Sequence, residues 1–228
     1  MSEGILIVDK PKGKTSFDLI RRLRRILQVE KIGHAGTLDP MATGVMVILI
    51  GKPFTRLSDH FLHHDKEYDA EITLGQATDS YDAEGVITHT STLIPSLNEV
   101  EMAISQFQGT INQIPPMFSA KKVNGKKLYE LARKGETIER KPVEVTLRIE
   151  FISYSYPILK IKVSCSKGTY IRSLANDLGL NLKTFGTLTA LKRTRSGKLT
   201  LEKSVDGTAL FDTMTASEIT PFLIHAIP

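Results

Sequence analysis

Six consecutive apolar residues, Val45-Met46-Val47-Ile48-Leu49-Ile50, constrain this chain more than any other stretch. A strand with one face in water alternates apolar and polar side chains, whereas an unbroken run predicts a strand buried on both faces. Directly before it stands Gly33-His34-Ala35-Gly36-Thr37-Leu38-Asp39-Pro40-Met41-Ala42-Thr43-Gly44, with three glycines and a proline in twelve residues. That is loop chemistry, backbone freedom beside a rigid turn. Asp39 precedes Pro40, so its backbone is expected to be extended. The loop offers one imidazole and one carboxylate beside a buried strand, a good place for chemistry. An Asp-Pro pair is equally an ordinary turn starter.

Elements on either side give the sheet neighbours and covering helices. Gly4 to Asp9 reads as a short strand ended by the turn Lys10-Pro11-Lys12-Gly13. Ser16 is expected to cap a helix over Phe17 to Gln28. Its apolar face is Leu19, Ile20, Leu23, Ile26 and Leu27, with Arg21, Arg22, Arg24 and Arg25 on the other face. Tyr68 to Leu74 alternates as a half-buried strand does, and Ser96 with Glu99 forms a capping box for a helix to Phe107. Val143, Val145, Leu147, Ile149 and Phe151 alternate with polar residues, as do Leu159, Ile161, Val163 and Cys165, which predicts an antiparallel pair. Thr169 to Leu178, closed by Gly179, reads as a helix, and residues 187–201 return to strand with Lys192, Arg193, Arg195 and Lys198 adding positive charge. The pattern is that of an α+β domain around a mixed, curved sheet.

Charge narrows the partners. The chain carries a net +5, and Lys121 to Lys141 alone holds eight Lys/Arg against three Glu. Arg21 to Arg25 adds four arginines. Clustered positive charge draws polyanions and makes their binding salt-sensitive. One cysteine, Cys165, excludes an internal disulfide and a multi-thiolate metal site, so a cytoplasmic location is expected. His60, His63 and His64 lie too close in sequence to predict a metal centre, and Asp79, Asp82 and Glu84 match no full cation loop. No apolar run approaches the roughly 20 residues that span a bilayer, so no membrane association is expected. Without repeats or linkers, residues 1–228 read as a single domain.

Five segments, in order, resemble the TruB family of tRNA pseudouridine-55 synthases. The Gly33–Gly44 loop resembles its catalytic loop, and Gly4-Ile5-Leu6-Ile7-Val8-Asp9-Lys10-Pro11-Lys12-Gly13 its opening motif. Asp65-Lys66-Glu67-Tyr68 resembles its tyrosine segment, with Thr78 to Gly85 adding a further likeness. Pro115 to Ala120, with Leu128 to Arg133, resembles the RNA-gripping insertion, here residues 114–141. Cys165-Ser166-Lys167-Gly168-Thr169-Tyr170-Ile171-Arg172-Ser173-Leu174 resembles its arginine motif.

The resemblance implies the pseudouridine synthase catalytic fold, a mostly antiparallel curved sheet flanked by helices. It implies isomerisation of uridine at position 55 in the T-loop of tRNA, by base flipping, without cofactor, metal or guide RNA. Asp39 becomes the catalytic carboxylate, Arg172 its cationic partner and Tyr68 the active-site aromatic. RNA contacts are expected from His34, Lys10, Tyr170, Lys121, Lys122, Lys126, Lys127 and Arg133, the lysine at 10 steadying the loop or meeting phosphate. The Pro115-Pro116-Met117-Phe118 run is expected to supply apolar surface near the insertion's hinge. Residues 199–228 are expected to form a short tail in place of the family's usual C-terminal PUA-type module, and the molecule is expected to be a monomer.

Overall fold

The computed structural model describes residues 3–119, 121–123 and 125–226. In chain order the elements are β1 (Gly4–Lys10), α1 (Ser16–Leu27), β2 (Ile32–Ala35), β3 (Thr43–Ile50), α2 (Lys52–Thr55), α3 (Ser58–Leu62) and β4 (Lys66–Leu74). Then come β5 (Gln76–Thr78), β6 (Ile87–Thr90), α4 (Leu97–Gln106), β7 (Gly109–Gln113), β8 (Lys122–Val123), β9 (Lys126–Lys127) and α5 (Leu128–Ala132). They are followed by β10 (Val143–Ser155), β11 (Ile158–Cys165), α6 (Ile171–Asn181), β12 (Gly186–Ser196) and β13 (Leu199–Thr200). The chain finishes with β14 (Val205–Asp206), α7 (Gly207–Asp212) and α8 (Ala216–Ile219).

The chain divides into two compact units. One holds residues up to 69 and from 191 onward; the other is Ala70–Ala190. Both divisions fall inside strands, β4 and β12, so no Pro- or Ser-rich linker marks them.

In the first unit β3 is the central strand. It runs antiparallel to β1 from Gly4↔Ile50 to Lys10↔Gly44, and its last four residues pair antiparallel with β2. Its first two residues pair parallel with Lys192 and Arg193 of β12, while β14 extends β1 in parallel. Val45, Val47 and Leu49 join Ile5, Ile7, Ala35, Phe61 and Leu199 in one apolar cluster. Met46, Ile48 and Ile50 point to the opposite face and are buried as well. The continuous apolar run therefore reflects two covered faces. The tail docks where Ile224 exchanges backbone hydrogen bonds of 2.8 and 2.9 Å with Ile5.

Helix α1 is capped by Thr15, one residue before the expected Ser16. Thr15 accepts from the Asp18 amide at 3.1 Å, and Asp18 accepts back from the Thr15 amide at 2.9 Å, completing a capping box. Ser16 is buried instead, with its hydroxyl against the Leu38 backbone.

In the second unit β10 pairs antiparallel with β11 and, on its other edge, with β7. Val145, Leu147, Ile149, Leu159, Ile161, Val163 and Cys165 are all buried, as the alternation predicts. Ser96 and Glu99 form the expected capping box on α4. Helix α6 runs past Gly179, which sits inside it: a Cβ there would lie 2.0 Å from the Gly186 amide nitrogen. That glycine permits a close backbone approach and does not end the helix. The basic insertion folds over a small core of its own, Met117, Leu128 and Leu131, with Val123, Ala132 and Ile138 packed against it.

Candidate active site

Two buried cations hold the loop that carries Asp39. Lys10, at the end of β1, is 0% exposed, and its ammonium donates to the carbonyls of Pro11 at 3.0 Å, Pro40 at 3.2 Å and Ala42 at 2.6 Å. Arg193, in β12, is 1% exposed; its Nε donates to the Val45 carbonyl at 2.7 Å and its Nη2 to the Gly36 carbonyl at 3.1 Å. Ser16 brackets Leu38 between these points, and the Gly13 amide donates to the Pro40 carbonyl at 2.8 Å. A buried cation is costly unless polar partners replace its water. Here the partners are loop carbonyls, so the compensation that makes burial tolerable also fixes the backbone on both sides of Asp39. Gly44 permits the arrangement, because a Cβ there would lie 2.2 Å from the Arg193 carbonyl oxygen.

Two expectations change accordingly. Lys10 steadies the loop and is too deeply buried to meet RNA phosphate. Arg193, read from sequence as one of four positive charges in residues 187–201, is an internal brace.

Asp39 itself is half-buried, and its carbonyl accepts from the Ala42 amide at 3.0 Å, closing a turn over Pro40. Tyr68 is a buried residue of β4, in phase with Lys66 and Ala70 on the inward face. Lys66 is a third buried cation that sequence inspection passes over. Its ammonium donates to the Leu62 carbonyl at 2.7 Å and to the His64 carbonyl, where α3 gives way to the strand bearing Tyr68. His34 in β2 is half-buried, and its Nδ1 has no hydrogen-bond partner among the described residues. Burial, and secondarily the Arg193 charge, holds its imidazole below the usual histidine pKa of 6.5.

Arg172 belongs to the second unit and is 5% exposed in the first turn of α6. Its Nη1 donates to the Ser80 carbonyl at 3.1 Å and lies 3.3 Å from Asp82 Oδ2, and its Nη2 donates to the Phe118 carbonyl at 2.8 Å. Asp82 is buried too, its Oδ1 accepting from the Ser80 hydroxyl at 2.6 Å and the Glu84 amide at 3.0 Å. The acidic turn that matches no cation loop thus cradles a guanidinium. Asp82 was missed as a functional residue, although it stands in the family-like Thr78–Gly85 segment. Tyr170, the N-cap of α6, exchanges hydrogen bonds with the Gln113 side chain at 2.8 and 3.0 Å.

The insertion presents its cations outward. Lys126 and Arg133 are exposed, and Lys121 and Lys127 partly so; the Lys122 side chain lies outside the described residues. Lys127 and Arg133 each place their charge 5.4 Å from the centre of the Tyr129 ring. Lys127 Nζ is also 3.2 Å from the Tyr129 hydroxyl, a contact that raises its pKa. Pro115, Pro116 and Met117 are buried at the insertion's root, so the apolar surface expected of that run faces inward, with Phe118 half-buried. Among the described residues no group of three or more His, Cys, Asp or Glu is placed to hold a metal, and no helix is long and apolar enough to cross a membrane.

The N-terminal domain model of the TruB family pseudouridylate synthases matches residues 24–171. Similar curated proteins include the tRNA pseudouridine synthase B of Protochlamydia amoebophila (strain UWE25), 59% identical over 205 residues, covering 90% of this chain and 78% of that one. The protein of the same name from Chlamydia pneumoniae is 57% identical over 210 residues, covering 92% of this chain and 89% of that one. Among solved structures, one of a Cbf5-Nop10-Gar1 complex gives a TM-score of 0.72 at 27% identity, over 92% of this chain and 54% of that chain. The chain therefore spans about half the length of that solved chain and over three quarters of the curated relatives.

Proposed function

Because the chain belongs to the TruB family of pseudouridylate synthases, we propose that it isomerises uridine 55 in the T-loop of tRNA to pseudouridine. The reaction breaks the N1–C1′ bond, turns the uracil, joins C5 to C1′, and moves the C5 proton to the ring nitrogen. Atoms balance within the substrate, so neither redox partner nor energy donor enters. The enzyme supplies a group that meets the charge developing on the sugar and a pocket that retains the detached base. A carboxylate does the first, as nucleophile or as ion partner to an oxocarbenium-like ribose. The observation that carries the reading is Asp39 on a backbone pinned at Gly36, Leu38, Pro40, Ala42 and Val45. A pinned loop holds the carboxylate in one reactive geometry, which is where much of an enzymatic rate originates.

Tyr68 offers a ring to stack on the everted base and a hydroxyl to pass the C5 proton. Arg172 is the cationic residue that the family resemblance assigns, and Asp82 fixes the orientation of its guanidinium. Lifting uridine out of a folded loop costs about a few kcal/mol. Phosphate contacts from Lys121, Lys126, Lys127 and Arg133 offset that cost. The reading includes a monomer acting in the cytoplasm on tRNA, without guide RNA. Its support is one buried cysteine and a cation-rich insertion.

An unmodified T-arm transcript incubated with the protein alone tests the proposal, with pseudouridine mapped by carbodiimide. Product at one uridine is expected from the native chain and none from Asp39→Asn. Product at the normal rate from Asp39→Asn overturns the assignment, and a requirement for added guide RNA overturns the stand-alone reading. Sedimentation at working concentration checks the monomer.

A further inference from the structure

Positive charge is segregated more sharply than the net value suggests. Lys12 to Arg25 holds Lys12, Lys14, Arg21, Arg22, Arg24 and Arg25 against the single acid Asp18, a net +5. The insertion from Lys121 to Lys141 carries another +5, so the remaining residues are net −5. The catalytic reading uses the insertion and leaves the first patch idle.

The geometry of that patch is suited to nucleic acid. Leu19, Ile20, Leu23 and Leu27 turn inward from α1, and Arg21, Arg24 and Arg25 are exposed with Lys12 and Lys14 on the approach. Arg22 and Arg24 spend part of their donors internally, on the Leu210 and Ile32 carbonyls. Lys12, Lys14, Arg21 and Arg25 all project toward solvent, Arg21 with its Nη1 3.9 Å from Asp18 Oδ1. Phe17 is 52% exposed in their midst, an expensive place for a phenyl ring, and the Arg21 guanidinium lies 5.2 Å from its centre. Lys14 makes a second such pair, 4.8 Å from the Phe211 ring. Asp18 accepts from the Thr15 amide and hydroxyl at 2.9 and 2.7 Å through Oδ2, and its Oδ1 makes only a long, exposed 3.9 Å pair with Arg21, so the patch's one carboxylate neutralises little of its charge. The patch also adjoins the catalytic loop directly: Gly13 donates to the Pro40 carbonyl and Ser16 bonds Leu38 on both backbone groups.

From this we infer that the Lys12–Arg25 face is a second RNA-contact surface, which grips the strand flanking the everted uridine. Lys12, Lys14, Arg21 and Arg25 meet successive phosphates, and Phe17 with Arg21 forms a platform for one unstacked base. Cations alone favour any polyanion; an exposed ring stacked beside a guanidinium favours single-stranded nucleic acid, because every base has a π-face to lay on it. The inference rests on the RNA substrate proposed above.

Binding of unmodified tRNA is measured between 50 and 200 mM salt for the native chain and for a triple variant, Lys14→Gln, Arg21→Gln and Arg25→Gln. Each lost phosphate contact removes about 0.7–0.9 from the slope of log K against log salt, so a total fall of about 2–3 is expected. Phe17→Leu is expected to raise Kd about fivefold or more by losing the stack while keeping the slope. The matched control is Lys160→Gln, Lys183→Gln and Lys203→Gln, which removes the same charge from exposed sites outside both patches and is expected to keep the native slope. A thermal melt verifies that each variant is folded. An unaltered slope in the first triple overturns the inference, as does an equal fall in the control. So does retention of anionic vesicles by the native chain and not the triple variant, with RNA affinity intact. Pseudouridine formation by the native chain tests the underlying reading separately.

Discussion

The Asp39 loop and the basic insertion both depend on lysine and arginine, and they use them in opposite ways. Around Asp39 the cations are buried, and each donates to main-chain carbonyls of the loop and its flanks. In the insertion the cations are largely exposed: Lys127 and Arg133 lie against the Tyr129 ring, and Arg140, at the insertion's root, donates to the Pro115 carbonyl at 3.1 Å. The first arrangement converts charge into backbone rigidity. The second leaves the charge to a ligand, while a small apolar core shapes the segment. Residue type is thus a poor guide to role; what the donors are spent on is the better one.

Exchanging the buried guanidinium for an ammonium tests the contrast most strongly. Arg193→Lys keeps the charge but cannot span Gly36 and Val45 together. Single-turnover pseudouridine formation is expected to fall about 100-fold, the scale of a 1 Å misplacement. Retention of tRNA binding and of a folded melt would locate the loss in the loop; native turnover would show the brace to be dispensable. Arg172→Lys is expected to remain folded and to lose most of its turnover for the same reason, read in the same assay.

Next in size is a stability effect. Asp82→Ala removes the buried carboxylate 3.3 Å from the Arg172 guanidinium and leaves the Ser80 hydroxyl and Glu84 amide without their acceptor, so about 3 kcal/mol of stability should be lost in urea unfolding. A smaller loss would mean that the Ser80 and Phe118 carbonyls suffice. In the insertion, Lys126→Gln with Arg133→Gln should weaken tRNA binding and flatten its salt dependence by about one unit for each contact, with the melt unmoved. A fall in melting temperature would erase the distinction between the two regions.

The smallest effect belongs to His34. Its pKa is depressed in the folded chain, so the unfolded chain binds the extra proton first, and stability declines as pH falls below 6.5. The decline ends once the folded imidazole is also protonated. His64 is shifted the same way, by burial first and then by His60 and Lys66, so imidazole resonances must be followed individually. Arg193→Gln should move the His34 titration upward and leave that of His64 in place.

What the sequence discloses here is whatever local periodicity encodes. The double-sided burial of β3, the antiparallel β10–β11 pair and the Ser96–Glu99 box all follow from residues within a few positions of one another. The burial of Lys10, Lys66 and Arg193 does not, because charge predicts exposure until a distant set of carbonyls reverses it. Arg193 meets Gly36 and Val45 from a strand 148 or more residues along the chain, and Arg172 finds Ser80 across 92 residues. Gly179 looked like a stop signal, since its real constraint is a neighbouring backbone that no helix periodicity reports. Asp39 was legible as a carboxylate on an ordered loop, whereas the means of ordering it was not.

The wide spacing of Asp39 from Arg193 has a consequence during synthesis. At about 5–20 residues per second, the arginine leaves the ribosome roughly 8–30 s after the aspartate. Throughout that interval the apolar strand beside the loop waits for its parallel neighbour, and the nascent chain carries an unfinished, sticky edge. A chaperone acting on this polypeptide would find a client surface there for as long as that neighbour is missing.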